Sequence, residues 1–230
     1  SAYGRDLLVD AGRFAYRGEV ANKFRGYAQG TQGHNTILID GKGQMPDVKV
    51  TEKPLSKNHY KITPEFDYAW NSFDKYYDLE NVKHTRALFY VRDNFWVVVD
   101  NVETVQPRKI ETLWHWHPRC EVEIQDDRIT SSLNEKGNLK IIPIGNTNWE
   151  IDQVKGQEEP EIQGWYSEEY NQFEPGTASI YSTQIEKDET FVWLLIPYEK
   201  EAPNGKVDMI SKDASEIKLK ITDQEKGSWE

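Results

Sequence analysis

Cysteine is nearly missing from this chain: Cys120 stands alone among 230 residues, so no internal disulfide can staple the fold. No run of about 18 apolar residues occurs, so no membrane-spanning helix is expected. Positive charge is short, with 28 Lys and Arg against 39 Asp and Glu and a formal net charge of −11. Nucleic acid is therefore not an expected partner, because binding phosphates needs a basic face. Basic residues crowd only one place, where Arg13, Arg17, Lys23 and Arg25 follow one another. A Gly-rich phosphate loop, a Gly-x-Ser-x-Gly elbow and a Cys-x-x-Cys pair are all lacking. So are Gly- or Ser-rich linkers, internal repeats, and any convincing helical period over 11 or more residues.

What is present is aromatic. Apolar residues at 37% are lean for a core, and aromatics at 12% make up buried area, since each ring removes a large surface from water. Eight Trp and twelve Tyr also suit a surface on which rings stack against pyranose faces. From Val48 onward the sequence reads as short strands between turn signals. Val48 to Lys53 and His59 to Thr63 alternate, each stopped by a proline. Phe66 to Tyr77 is dense in rings, either lining a groove or packed under a neighbouring sheet. His84 to Arg92 and Phe95 to Val99 form a hairpin around a two-residue Asp93-Asn94 turn. The unalternating Val97-Val98-Val99 predicts a strand covered on both faces.

Lys109 to His117 follows, ending Trp114-His115-Trp116-His117. Alternation points both Trp one way and both His the other, giving either a metal or catalytic pair or a polar face opposite an aromatic one. Glu121 to Ile124 and Arg128 to Ser132 make another hairpin. Further strands are expected at Leu139 to Ile144, Trp149 to Val154, Ser179 to Ile185, Thr190 to Ile196, Val207 to Ser211 and Glu216 to Thr222. The pattern predicts a single all-β domain over residues 1–230, a large antiparallel β-sandwich of stacked sheets with almost no helix.

The stretch from Asp10 to Gln44 carries the candidate chemistry. Asp10 ends a short apolar run, Leu7-Leu8-Val9, and His34 begins the next, Thr36 to Ile39. A carboxylate and an imidazole held at the ends of two rigid elements are metal-ligand types, but two ligands fall short of the three or four that zinc takes. The ordinary alternative is that Asp10 caps a turn and His34 is a hydrogen-bonded core histidine. The long connection between them reads as a loop, and a loop of that length is often functional. It places Tyr16, Arg25 and Tyr27 as candidate cleft contacts, Arg25 offering a planar fork for a carboxylate or sulfate.

The residues Gly4 to Gly12, Phe24-Arg25-Gly26-Tyr27, His34-Asn35-Thr36, Asp40-Gly41 and Gln44 together form a pattern. It resembles the start of the C-terminal β-domain of the heparinase II/III-like polysaccharide lyases. A second match lies at Gly164-Trp165-Tyr166-Ser167 with Tyr170, and at Phe191 to Pro197. The resemblance implies that Asp10 and His34 bind zinc or another divalent metal together with a histidine from an upstream His-x-His element; a site joining two strands in this way points to a structural role for the metal. No such element precedes Asp10, so the chain reads as the C-terminal piece of a longer enzyme whose helical toroid lies outside it.

The resemblance further implies β-elimination on an acidic polysaccharide of glycosaminoglycan or alginate type. A base removes the proton at C5 of a uronic acid and an acid protonates the leaving oxygen. A Tyr and a His serve as acid and base, helped by an Asn–His pair, mostly on the toroid. It leaves Tyr16 and Tyr27 as catalytic candidates in this chain, and Arg25 and Gln44 as substrate-binding ones. It also implies a periplasmic or secreted location, and inactivity of these 230 residues alone. A glycosidase would need two carboxylates across a cleft, and nothing in Glu158-Glu159 or Glu168-Glu169 singles out such a pair. The non-enzymatic alternative is a carbohydrate-binding or scaffolding β-sandwich module.

Overall fold

The computed structural model describes residues 1–46, 54–126, 129–202, 205–212, 216–223 and 227–229. An irregular strap leads into helix α1 (Gly18–Gln29), and strand β1 (Ile37–Ile39) follows. Next come β2 (Tyr60–Ile62), β3 (Phe66–Phe73), β4 (Val82–Val91), β5 (Phe95–Thr104) and β6 (Arg108–His115). The chain continues through β7 (Val122–Gln125), β8 (Ile129–Ser132), β9 (Asn138–Ile144) and β10 (Glu150–Lys155). Two short strands, β11 (Trp165–Tyr166) and β12 (Glu174–Pro175), precede the long β13 (Thr177–Ile185) and β14 (Glu189–Tyr198). The last three are β15 (Gly205–Lys212), β16 (Ile217–Asp223) and β17 (Gly227–Trp229).

Strand accounts for 54% and helix for 9%, which makes the fold all-β as the pattern predicts. The largest sheet has the order β2-β3-β4-β5-β14-β9-β8-β7. A four-stranded sheet, β1-β6-β13-β10, covers one of its faces, and β15-β16-β17 lies over part of the other. The first interface is the main core. Val98, Val102, Phe191, Trp193 and Leu195 from the large sheet meet Ile37, Ile39, Ile110, Trp114 and Tyr181 from the small one. Through the other face Phe95, Val97, Val192 and Leu194 meet Ile221, with Leu219 and Trp229 alongside. Strands β5 and β14 are thus covered on both sides, which is why Val97-Val98-Val99 does not alternate.

Two expectations need correction, and a third, left open, is divided. The connection between Asp10 and His34 is not a loop throughout, because α1 occupies twelve of its residues. Its buried side chains are only Ala21, Phe24 and Tyr27, and Arg17 at the N-cap makes no side-chain capping bond. Such a narrow apolar stripe is a weak periodic signal. The helix rests on tertiary packing: Phe24 stacks on Phe14 with ring centroids 4.7 Å apart and meets Trp165 at 5.3 Å. The β4–β5 hairpin also turns differently. Val91 pairs with Phe95, so the connection has three residues, with Asp93 in the left-handed region at φ 60 and Asn94 donating to Val91 O at 3.0 Å. The rings of β3 divide between two environments. Phe73 packs against the main core, whereas Phe66, Tyr68 and Trp70 line a groove of about 610 Å³ beside β16. The expected strand at Val48 to Lys53 lies outside the described residues.

Trp193 is fully buried and lies within ring contact of Trp114, Trp149 and Tyr181. We predict that Trp193→Ala destabilises the chain by about 3–5 kcal/mol in urea unfolding. Leu88→Ala, at an exposed position on β4, should cost within about 0.5 kcal/mol. Equal losses in the two variants would contradict the placement of the main core.

Candidate functional site

The segment Leu7 to Ala11 is held like a short extra strand. Leu7 O accepts from His117 N at 2.9 Å, Val9 N donates to His115 O at 3.0 Å, and Ala11 N donates to Gly33 O at 3.0 Å. It thereby extends the sheet at the edge of β6, beside the residues that carry the two histidines. Trp114 and Trp116 point into the main core, while His115 and His117 turn the other way, as alternation requires. Both imidazoles are buried all the same. His117 packs on Tyr166 at 5.2 Å, and His115 meets Gln163 Oε1 through Nε2 at 3.0 Å. With Nε2–H donating, Nδ1 of His115 is a lone pair that finds no partner among the described residues. Burial pushes its pKa down to about 4, so this ring is neutral near pH 7.

Asn35 fixes the position of the candidate ligands. Its side-chain Nδ2 donates to Val9 O at 2.9 Å, and its Oδ1 accepts from His115 N at 2.7 Å. Its backbone oxygen accepts from Arg86 Nη1. Arg86 in turn grips Asp100, with Nε to Oδ1 at 2.6 Å and Nη2 to Oδ2 at 2.9 Å. Asp100 has no solvent exposure. Burial alone would raise its carboxyl, but the Arg86 charge and the His84 hydrogen bond together hold it well below the usual carboxylate range. The chain of bonds runs on outward. His84 Nε2 donates to Asp100 Oδ1 at 2.7 Å, and its Nδ1 lies 3.3 Å from Tyr76 Oη. Gln44 Nε2 then donates to Tyr76 Oη at 3.5 Å. Asp100 only accepts and Arg86 only donates, so the series radiates from the buried carboxylate towards Gln44.

On this frame Asp10 and His34 converge. His34 Nδ1 lies 3.1 Å from Asp10 Oδ1, with side-chain exposures of 40% and 65%. The pair is open to solvent, unlike a core histidine. The hydrogen bond to Asp10 raises the His34 pKa, with burial opposing it. The same bond lowers Asp10, again against burial. Two ligands on one zinc ion stand about 3.4 Å apart, for bond lengths near 2.1 Å and a tetrahedral angle. The pair therefore fits as two adjacent corners of a site. Among the described residues no third His, Cys, Asp or Glu joins them.

The remaining candidates separate. Tyr16 is 56% exposed, and Arg25 lies on an exposed face of α1. Gln44 is half-buried and engaged with Tyr76. Tyr27 is not on a cleft wall. It is 3% exposed, its hydroxyl reaches Gln163 Oε1 at 3.1 Å and Trp165 O at 3.2 Å, and burial pushes its pKa up to about 12. Its side chain closes the helix against the Gly164–Trp165 segment, so it is a packing residue in this chain. Sequence reasoning gave no role to Asn35, Gln163 or the Arg86–Asp100–His84 group. Asn35 sits beside His34, yet its partners are 26 and 80 residues away.

A family model described as Heparinase II/III-like, C-terminal, matches residues 1–218. A heparin-sulfate lyase of Bacteroides stercoris is 25% identical over 143 residues, covering 60% of this chain and 20% of that protein. Among solved structures, the heparan sulfate lyase HepC of Pedobacter heparinus superposes with a TM-score of 0.78 at 18% identity, over 96% of this chain and 33% of that one. A heparinase III gene product superposes at 0.76 with 19% identity, over 97% of this chain and 34% of that one. These structural likenesses establish the fold. The chain spans between a fifth and a third of the length of these relatives.

The linkage of the pair has a definite sign. Asp10, lowered in the fold, contributes stability above its ordinary 3.8 that is lost as pH falls through the lower folded value. His34, raised in the fold, contributes below its ordinary 6.5 and loses that contribution as pH rises through the higher folded value. The bond is fully expressed between those two ordinary values. We predict that Asp10→Asn brings the His34 pKa down towards 6.5 in an NMR titration with chelator present. An unchanged His34 titration would show that the pair does not form. Asn35→Ala should cost about 2–4 kcal/mol, because Val9 O and His115 N lose their partner, and should also move the His34 titration. A stability loss with no change at His34 would limit Asn35 to packing.

Proposed function

The chain belongs to the heparinase II/III-like C-terminal family, and we propose that it serves as the β-domain of a lyase acting on glycosaminoglycan of the heparin or heparan sulfate type. The family match over residues 1–218, spanning both Asp10 and His34, carries this reading. The name of the Bacteroides stercoris relative favours heparin-type polymer over alginate. The reaction is a β-elimination. A base takes the C5 proton of the uronic acid, the C5–H electrons form the C4–C5 double bond, and the C4–O bond breaks as an acid protonates the departing oxygen.

In this reading the present residues build the floor and one wall of the cleft. Asp10 and His34 would hold a divalent metal such as zinc, with a further donor from outside these residues. The bound ion would supply fixed positive charge and tie the domain edge together. Asn35 and its partners hold both ligands in place. Arg25 presents a fork suited to a carboxylate or sulfate, Tyr16 offers an exposed ring, and Gln44 reaches the site through Tyr76.

The chain by itself is expected to lack lyase activity. It has five histidines, and each is engaged. His34 is bonded to Asp10 and His84 to Asp100, His115 is bonded to Gln163, His117 packs on Tyr166, and His59 stacks on Trp70. A histidine base would come from the helical domain that the resemblance implies, which is also the expected binding partner. Periplasmic or secreted placement belongs to the same proposal, because an extracellular polysaccharide is met outside the cytoplasm.

The test pairs this chain with an upstream-extended one on heparan sulfate, heparin and alginate, following the unsaturated uronate by ultraviolet absorbance. Product is expected from the extended chain only, on the two glycosaminoglycans. The extended chain should also carry about one metal ion per chain, and Asp10→Ala or His34→Ala should lose it. Product from the short chain would place the working acid and base among these residues. Silence from both chains on every polymer would favour a carbohydrate-binding module instead.

A further inference from the structure

The strap between Asp10 and α1 is more tightly built than its lack of secondary structure suggests. Ser167 N donates to Ala11 O at 2.9 Å, Phe14 N donates to Ser167 Oγ at 2.9 Å, and Asn171 N donates to Phe14 O at 2.6 Å. Gly12 is pressed so close that a Cβ there would meet Ser167 O at 2.1 Å, and its φ is +88. Phe14 and Asn171 both occupy the left-handed region, at φ 58 and 61, a conformation that costs energy for non-glycine residues. The Phe14 ring is fully buried. The strap and the loop after β11 are therefore clamped together at the cost of local backbone strain.

The clamp presents two rings to solvent. Tyr16 follows Phe14 by two residues and Tyr170 precedes Asn171 by one. Their centroids are 5.9 Å apart at an interplanar angle of 36°, and each is 56% exposed. Arg13 lies over the Tyr16 ring, 5.2 Å from its centroid. Two large exposed rings brought together from opposite ends of the sequence gain little from burial, so packing does not account for them. Charge adds a second observation. In a chain of net charge −11, Arg13 and Arg17 make no ion pair among the described residues. The carboxylates of the facing loop are already engaged: Glu168 pairs with Arg119 at 3.4 Å, and Glu169 Oε2 accepts from Gln172 Nε2 at 3.0 Å. Arg13 is three residues from Asp10, within about 10 Å along the chain.

We propose that Tyr16, Tyr170 and Arg13 form a saccharide-binding platform beside the Asp10–His34 pair, which takes one acidic sugar residue of a polymer. The rings receive the apolar face of the pyranose, and the Arg13 guanidinium, stacked on Tyr16, binds the sugar's carboxylate or sulfate. Arg17 adds charge at the same rim. The choice of an acidic sugar rests on the lyase reading above, while the platform itself rests on the clamp, the rings and the unpaired arginines.

The experiment measures binding rather than product, so the platform and the lyase reading fail separately. The 230-residue chain is titrated calorimetrically with size-defined oligosaccharides of three kinds: heparan sulfate, its unsulfated counterpart carrying carboxylates only, and a neutral glucan. Tyr16→Ala, Tyr170→Ala and Arg13→Ala are each expected to weaken binding of the acidic oligosaccharides about fivefold or more, with melting temperatures unchanged. Trp96→Ala, at a surface ring stacked on Tyr90 on the large sheet, should bind as the parent chain does. Arg13→Lys should recover only part of the loss, because it keeps the charge and gives up the planar stack. Retained binding to the unsulfated oligosaccharide identifies the carboxylate as the recognised group, and loss of it identifies the sulfate. Undiminished binding in the ring variants, equal binding of neutral glucan, or no binding by the parent chain would each overturn the platform. None of those results would bear on whether the extended chain forms unsaturated product.

Discussion

Asn35 sits where three chain segments meet: the Leu7–Ala11 segment, the end of β6 and Arg86 of β4. Its amide satisfies Val9 O and His115 N, and its own carbonyl is held by Arg86. A side-chain amide at such a junction is worth more than its net hydrogen-bond energy suggests, since removing it strands buried backbone groups that nothing else reaches. Asp10 is one residue beyond Val9, and His34 is one residue before Asn35. The separation of the two candidate ligands is thus set by this amide and by the backbone bond from Ala11 N to Gly33 O, rather than by the ligands themselves. The bond between them, at 3.1 Å between exposed side chains, is too accessible to fix its own geometry.

Behind Asn35 stands a costly buried group. Asp100 is a carboxylate with no solvent contact, and it is tolerated because a two-point bond from Arg86 and a hydrogen bond from His84 replace its hydration. A buried pair of this kind adds little net stability over an apolar substitute, but breaking it by removing one partner is strongly destabilising. Its role is better described as orientation. Arg86 is aimed at Asn35, and His84 is aimed at Tyr76 and so at Gln44. Polar groups spread over β4, β5 and the Asp10–Gln44 stretch thereby adopt one arrangement.

The layered sheets supply rigidity, and the irregular segments supply chemistry. Strands β5 and β14 are covered on both faces and hold β6 and β13 through the main core. The end of β6 then gives a fixed edge along which the Leu7–Ala11 segment pairs. The strap beyond it carries the left-handed Phe14 and the tightly packed Gly12. Strain of this kind persists only where the surroundings over-determine it, and here the surroundings are the Ser167–Asn171 loop and the stacked Phe14 and Phe24 rings.

The sequence by itself determined the all-β class, most strand positions, the doubly covered Val97–Val99 run and the opposite directions of Trp114 and His115. All of these follow from alternation and short-range turn chemistry, which are local properties. It also marked Asp10 and His34 as a pair, through the pattern of residues around them. It did not determine α1, whose three buried side chains make too narrow a stripe to register without Phe14 and Trp165 beside it. The burial of Tyr27, the joining role of Asn35 and the meeting of Tyr16 with Tyr170 were decided only by the tertiary structure. Each depends on contacts between residues far apart in the chain, 136 positions in the bond from Tyr27 to Gln163. A side chain's exposure and partners there are set by how sheets and straps stack, which no local spacing encodes.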